Sequence, residues 1–491
     1  MGVTERLATC LVLLALSPAA WVIRGALRAE PADAYGVALQ TAVRSDPPAN
    51  REGELMLARI RGAGAKLVRI KLDWNDIAPK SPPAGFQPAN PGDPSYRWRE
   101  ADRLIDQAVG AGLEPIVDIG SPPSWAQAPP GAGASSPDPG QLGQFAAAAA
   151  TRYDGSTPRQ PWVRYWDVWN EPNSSYFLSP QTQAGRIVSV NTYRTMVEDF
   201  ATAVHGVLAD DVVIGGELFP NGVNRGGLTA IAPLEFTRML FCLSAGSRPR
   251  RVCDVHVPVD VWSMHPYTSG GPSTVPANPN NVWLSNLSAL VATVRAAQRL
   301  GTLVSARPAQ TWVTEFSWDT NPPDPQGVPV GLEQRWVAEA IYRTWAAGVG
   351  VFTWFLLSDE PLATSPFQSG LYFECPGGRL SCDTPKPSEE AFRFPFVAYR
   401  QRTRKVLVWG RTPSGVPGTI TVQWLQAGGW RGLVTLSTDS DGIFTAWVPL
   451  PRGANPATAQ LRAVDPGVGL SPAFSLHVPP NMLVTPFGAG G

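Results

Sequence analysis

Eight short apolar runs recur between residues 35 and 400, with amphipathic helical segments between them. The runs are Tyr35–Leu39, Leu67–Leu72, Glu114–Ile119, Tyr165–Trp169, Val212–Gly216, Val261–His265, Thr311–Glu315 and Val351–Phe355. Helical patterns cover Arg51–Ala63, Arg99–Ala111, Gln141–Tyr153, Thr192–Leu208, Trp283–Leu300 and Glu333–Ala347, with a last helix expected over Glu389–Arg402. Gly62-Ala63-Gly64 and Gly110-Ala111-Gly112 supply the glycines that commonly end helices. This alternation predicts a (β/α)8 TIM barrel over residues 35–403, within the usual size of that fold. An open doubly wound sheet would carry a glycine-rich turn after its first strand, and Gln40-Thr41-Ala42-Val43 is no such turn.

Beyond Arg404 the helical patterns stop. Val406–Gly410, Thr419–Gln423, Leu433–Ser437, Phe444–Val448, Ala459–Ala463 and Ala473–His477 alternate apolar and polar residues, predicting a small all-β sandwich of immunoglobulin-like type over 404–478. Residues 479–491 read as a loose tail. That domain gathers no acids, histidines or cysteines, so packing is its expected role, and Trp424 and Trp430 are expected in its core.

Residues 1–34 read as an export signal removed on secretion, with an apolar run from Leu7 to Ile23 and small residues at Ala32-Asp33-Ala34. The alternative is an uncleaved membrane anchor, which Pro18, Arg24 and Arg28 disfavour. The charge balance bears on partners: 40 basic against 40 acidic residues give zero formal net charge. Such a chain lacks the basic field of a nucleic-acid or anionic-membrane binder. With 44% hydrophobic and 16% charged residues, it is also not a disordered chain. A monomer is expected.

With Cys10 inside the signal, Cys242, Cys253, Cys375 and Cys382 remain. Four cysteines in an exported chain favour disulfides, and of the three connectivities proximity favours Cys242–Cys253 with Cys375–Cys382. Cys253 lies near His256, yet no C-x2-C pair or second ligand pair exists, so no metal site is expected.

In such a barrel, functional side chains stand at the C-terminal ends of strands. The fourth run ends in Asn170-Glu171-Pro172 and the seventh in Glu315-Phe316-Ser317, so two carboxylates face each other across the mouth. A pair of this kind performs glycoside hydrolysis, one carboxyl protonating the leaving oxygen and the other attacking the anomeric carbon. Arg69 alternates with apolar residues along the second run, and an outward surface role fits Lys71 better than Arg69. Trp354 ends the eighth run and Trp125 follows the third, where indole faces suit the C–H faces of sugars. Asp73, Asp118, Asp167, Glu217 and Asp359 also lie near strand exits but stay outside the expected catalytic set, and Asp167 is expected to point elsewhere. The long connection Ser358–Ser388, with Phe367, Tyr372 and Phe373, is expected to wall one side of the cleft.

Over residues 35–400 the sequence resembles clan A glycoside hydrolases, family 39 first and family 5 second. The resemblance rests on Asn170-Glu171, Glu315, Trp74-Asn75-Asp76-Ile77, Tyr96-Arg97-Trp98 with Asp102, Gly112-Leu113-Glu114-Pro115, and Ser121-Pro122-Pro123-Ser124-Trp125-Ala126. The strand-3 exit lacks the histidine that family 5 enzymes often carry. The resemblance implies Glu171 as acid/base, Glu315 as nucleophile, Arg69 beside the nucleophile, and Asn170 on the sugar 2-hydroxyl. It also implies that His265 and Tyr267 contact the two glutamates. The expected activity is exported, retaining β-glycoside hydrolysis of a polysaccharide or oligosaccharide, with no cofactor. A non-catalytic carbohydrate-binding barrel is the competing reading.

Overall fold

The structure is a computed structural model and describes residues 39–48, 50–157, 160–400 and 404–484. The expected export signal, Cys10 and the last seven residues of the expected tail lie outside them.

Eight parallel strands close into a barrel: β1 (Gln40–Arg44), β2 (Leu67–Asp73), β3 (Glu114–Gly120), β4 (Tyr165–Asp167), β5 (Val212–Leu218), β6 (Val261–Met264), β7 (Gln310–Val313) and β8 (Val351–Phe355). Each pairs with its sequence neighbours, and β8 pairs back onto β1. The first strand of the barrel is Gln40–Arg44; of the expected Tyr35–Leu39 only Leu39 is among the described residues, and it lies outside that strand. A helix follows every strand: α1 (Arg51–Gly62), α2 (Arg99–Gly110), α3 (Pro139–Arg152), α4 (Ser189–Val207), α5 (Pro233–Leu240), α6 (Leu287–Arg299), α7 (Val330–Ala346) and α8 (Pro387–Arg393). α5 was not among the expected helices. It carries Pro at its first position, where the missing N–H costs nothing. Asn50 caps α1 and Asp138 caps α3 through their side-chain oxygens. Gly64 and Gly112, at φ 83° and 75°, turn the chain out of α1 and α2.

Strand side chains alternate sides, and the inward set changes character along the barrel axis. Ala42, Leu67, Ile116, Val212, Ile214, Val261, Trp312 and Val351 form an apolar plug inside the barrel. Two residues further along β1 to β4 the same face carries Arg44, Arg69, Asp118 and Asp167. A dry floor thus lies directly beneath a charged layer, so those charges satisfy one another instead of water.

The helix expected over Glu389–Arg402 stops at Arg393, and the chain resumes as a strand, β9 (Phe396–Arg400). Phe396-Val397-Ala398-Tyr399 pairs with β10 (Lys405–Arg411), which pairs with β13 (Ile443–Pro449) in a three-stranded sheet. β11 (Thr419–Gln426), β12 (Gly429–Ser437) and β14 (Gln460–Asp465) form the core of a second antiparallel sheet. Trp424 is buried in the apolar core, whereas Trp430 lies half-buried under Arg462, whose guanidinium sits 4.3 Å from its ring centre. Residues 479–484 are not loose: Asn481 accepts a hydrogen bond from the Gly271 amide at 3.1 Å, and Val484 is buried. Both local disulfides form, Cys242–Cys253 and Cys375–Cys382. Among the described residues no helix is long and apolar enough to cross a membrane.

Candidate active site

The site is built around one guanidinium. Arg69, fully buried on β2, reaches Glu315 through Nη1 at 2.6 Å, Asp167 through Nε at 3.0 Å, and Glu217 and Asp118 through Nη2 at 2.7 and 3.3 Å. Its Nη2 also donates to Asn170 Oδ1 at 3.3 Å, which leaves the Asn170 amide NH2 for the cleft. Burial alone would pull the Arg69 pKa down, but the four carboxylates around it raise it well above its ordinary value. Asp167 therefore points into the site, not away from it. Burial and the charge on Glu217 push its carboxyl well above the usual range.

Glu171 lies just past the end of β4, in the left-handed backbone region at φ 40°. A non-glycine residue there costs about 1–3 kcal/mol. The bend is held by Glu171 N–H donating to Glu217 O at 2.9 Å and by Ser174 N–H donating to Glu171 O at 2.9 Å. It turns the carboxyl toward His265, whose Nδ1 lies 2.9 Å from Glu171 Oε1. The other ring nitrogen, Nε2, lies 2.8 Å from Glu217 Oε2. Burial pulls the His265 pKa down, yet Glu315, Glu217 and the hydrogen bonds to Glu171 and Glu217 carry it up to about 10. As an imidazolium it donates from both nitrogens.

Glu315 follows the end of β7. Its Oε1 pairs with Arg69 and, at 3.1 Å, with Nε of Arg44 on β1; its Oε2 accepts from the Tyr267 hydroxyl at 3.2 Å. Oε2 also lies 3.7 Å from His265 Nδ1, so oxygens of Glu171 and Glu315 both lie within 3.7 Å of one nitrogen. The two carboxyls differ in surroundings. Burial raises the Glu171 pKa, with Glu315 and Glu217 adding to it against His265, whereas two guanidinium groups neutralise the charge on Glu315.

Glu217, like Asp118 and Asp167, is an acid left outside the expected catalytic set that the structure brings onto Arg69. β5 shifts register between the partners of Trp262 and Met264, over Gly216-Glu217. Gly216 has φ 103°, and a Cβ there would lie 2.5 Å from Ser263 O. This bulge swings Glu217 inward, where Ser263 Oγ donates to it at 2.6 Å. Burial is overcome by Arg69 and His265, which hold the Glu217 carboxyl down at about 2. A Gly-Gly pair directly before an acid at a strand exit was the available signal.

The cleft over these groups has a volume of about 480 Å³. Its walls include Arg44, Asp46, Lys71, Trp169, Tyr176 and Phe177, together with Phe355 and Phe367. Lys71 thus faces the cleft on the same side of β2 as Arg69, with Nζ donating to Ser121 Oγ at 2.9 Å. Trp354 does not line it. Val351, Thr353 and Phe355 point inward on β8, so Trp354 points outward, fully buried against Phe316 and Trp318 with Nε1 donating to Ser369 O at 2.8 Å. Phe355 takes the place expected of Trp354. Trp125 packs edge-on against Trp74 and Phe86 and donates to Pro79 O at 2.8 Å, behind the cleft wall. Of the aromatics in Ser358–Ser388, Phe367 lines the cleft, while Tyr372 lies under Arg59 and Phe373 under Lys386. Asp359 pairs with Lys386 at 2.6 Å and Asp73 with Lys71 at 3.5 Å. Among the described residues, no group of three or more His, Cys, Asp and Glu side chains is arranged to hold a metal ion.

No model of a protein family matches the chain, and no curated protein matches it. Solved structures do align with it. A family 39 glycoside hydrolase from the gut symbiont Bacteroides cellulosilyticus WH2 shares 15% identity, with 84% of this chain and 79% of that one covered and a TM-score of 0.49. A glucosidase from Croceicoccus marinus shares 13%, covering 84% and 93%, with a TM-score of 0.48. A GH30 endoxylanase from Clostridium papyrosolvens C71 shares 10%, covering 86% and 96%, with a TM-score of 0.43.

Proposed function

We propose that this protein is a retaining β-glycoside hydrolase that works by double displacement, with Glu171 as acid/base and Glu315 as nucleophile. One observation carries the reading: two carboxyls in opposite electrostatic settings converge on His265 Nδ1, at 2.9 and 3.7 Å. Such closeness favours the retaining separation of about 5–5.5 Å over the inverting one of about 6.5–9.5 Å. In the first step Glu315 Oε2 attacks the anomeric carbon while Glu171 gives its proton to the departing oxygen. In the second, water attacks the same carbon, Glu171 takes its proton, and the bond to Glu315 breaks with its electrons returning to the carboxylate. Asn170, its oxygen held by Arg69, offers its NH2 to the sugar 2-hydroxyl.

The substrate is a neutral oligosaccharide or polysaccharide. Arg44 and Lys71 on the cleft wall are matched by Asp46, Asp118, Glu315 and Glu360, so no cationic surplus awaits an anionic sugar. Tyr176, 62% exposed on the loop after Glu171, offers a ring face on the leaving-group side. Two disulfides, with the leader read at residues 1–34, support action outside the cytoplasm.

The test is Glu315→Ala assayed on a panel of dinitrophenyl β-glucoside, xyloside, galactoside and arabinoside. Turnover should vanish, and azide should restore release with a glycosyl azide of inverted configuration. Hydrolysis by this variant at the wild-type rate would remove Glu315 from the mechanism. A wild-type protein that binds oligosaccharide but cleaves none of the panel would favour a binding barrel.

A further inference from the structure

Glu315 carries more positive charge than its orientation needs. Arg69 and Tyr267 already hold one oxygen each, at 2.6 and 3.2 Å. Arg44 adds a second guanidinium to Oε1 at 3.1 Å, from the neighbouring strand and in register with Arg69. Arg44 is nearly buried, with a side chain 14% exposed, and its Nη1 is anchored by Asp46 Oδ2 at 2.6 Å. Its guanidinium also lies 5.5 Å from the centre of the Phe355 ring. Arg44 is therefore locked beside the nucleophile by three partners on three sides.

Resting on the double-displacement reading, we propose that Arg44 is a positioning residue for the second step, tuning Glu315 as a leaving group. Glu315 changes charge during the cycle. It is an anion in the free enzyme, a neutral ester while bonded to the sugar, and an anion again as water displaces it. A cation at 3.1 Å stabilises the two anionic states and the transition state leading back to the anion more than it stabilises the ester. Arg44 therefore lowers the barrier from the ester to free Glu315, and it offers little or no help to the attack that makes the ester. The atoms balance: water supplies the oxygen to the anomeric carbon, its proton goes to Glu171, and the C–O electron pair returns to Glu315 Oε1 and Oε2.

A merely structural arginine would behave differently when removed. With Arg44→Gln, the ester should form at least as fast as in the wild type and break down on the order of tenfold more slowly, the worth of one charged hydrogen bond. With the dinitrophenyl β-glycoside that the wild type turns over fastest, kcat and KM should fall together while kcat/KM stays level or rises. Stopped flow should show a burst of dinitrophenolate, and intact mass spectrometry should show a population carrying one added sugar on Glu315. Arg44→Lys, which keeps the charge beside Glu315, should restore most of kcat and shrink the burst; it also serves if the Gln variant does not fold. Parallel loss of kcat and kcat/KM without a burst in a folded variant overturns the role of Arg44 and leaves the double displacement standing. A wild-type enzyme that hydrolyses the glycoside with inversion overturns both.

Discussion

At the residue scale the site is a proton ledger kept by His265. Its imidazolium donates to Glu171 and Glu217 and faces Glu315, so three glutamates share one cation. In the proposed mechanism Glu171 acts as the acid, and burial raises its pKa while His265 opposes that rise. The sign follows: activity should fall on the alkaline side as Glu171 loses its proton, at a pH above the ordinary carboxylate range. Replacing His265 with Gln removes the opposing cation, so the alkaline limb of kcat/KM should move to higher pH even as the rate drops. Glu171→Gln should abolish the limb altogether and spare dinitrophenyl leaving groups far more than saccharide ones, since only the latter need the proton. An unmoved limb in His265→Gln would mean that another group sets it. The meeting of Glu171 and Glu315 at His265 was readable because Asn170-Glu171 and Glu315 stand where strand turns to loop. Trp354 misled for a related reason: strand end says which residues are near the mouth, but only the two-residue alternation with Thr353 and Phe355 says which face inward.

At the element scale, the alternation of apolar runs and helical patterns displayed seven of the eight strands and set the first too early in the chain, because each parallel strand is covered on one side by a helix and on the other by the barrel interior. Two local conflicts hid the rest. Phe396-Val397-Ala398-Tyr399 follows a helix closely enough to be read into it, and pairing with β10 decides for strand. The bulge at Gly216-Glu217 reverses the side on which Glu217 falls, which simple alternation cannot register. A third element carries a titratable group that sequence gave no reason to mark. Glu333, near the start of α7, is fully buried beneath the loop after β8. Burial, with Asp359 and Asp319 adding to it against Lys386, pushes its carboxyl up to about 8. A carboxyl raised from 4.5 to about 8 is neutral in the fold, so its contribution to stability is full below the unfolded value and lost as pH climbs through about 8. Urea midpoints should therefore fall between about pH 5 and about pH 9, and Glu333→Gln should flatten that slope. A slope identical in the variant would assign the pH dependence to other groups.

At the scale of the whole molecule, the two β-sheets that follow the barrel are joined to it by a continuous apolar core rather than a tether. The Trp409 ring on β10 packs with its centre 5.6 Å from that of Trp345 and 5.5 Å from that of Tyr342, both on α7, while Tyr399 on β9 packs at a tilt 5.3 Å from the same Tyr342. Arg335 on α7 lies 4.0 Å from the centre of the Phe474 ring and donates to Ser475 O at 2.7 Å. α7 directly follows the loop that leaves Glu315 and packs against the sheets. Trp409→Ala should cost about 3–5 kcal/mol, the usual loss for a large buried aromatic. Because the core is shared, it should lower the midpoint of one cooperative transition, followed together by tryptophan fluorescence, far-ultraviolet circular dichroism and loss of hydrolysis. If the sheets were an independent module, Trp409→Ala would instead melt them first and leave a folded, active barrel.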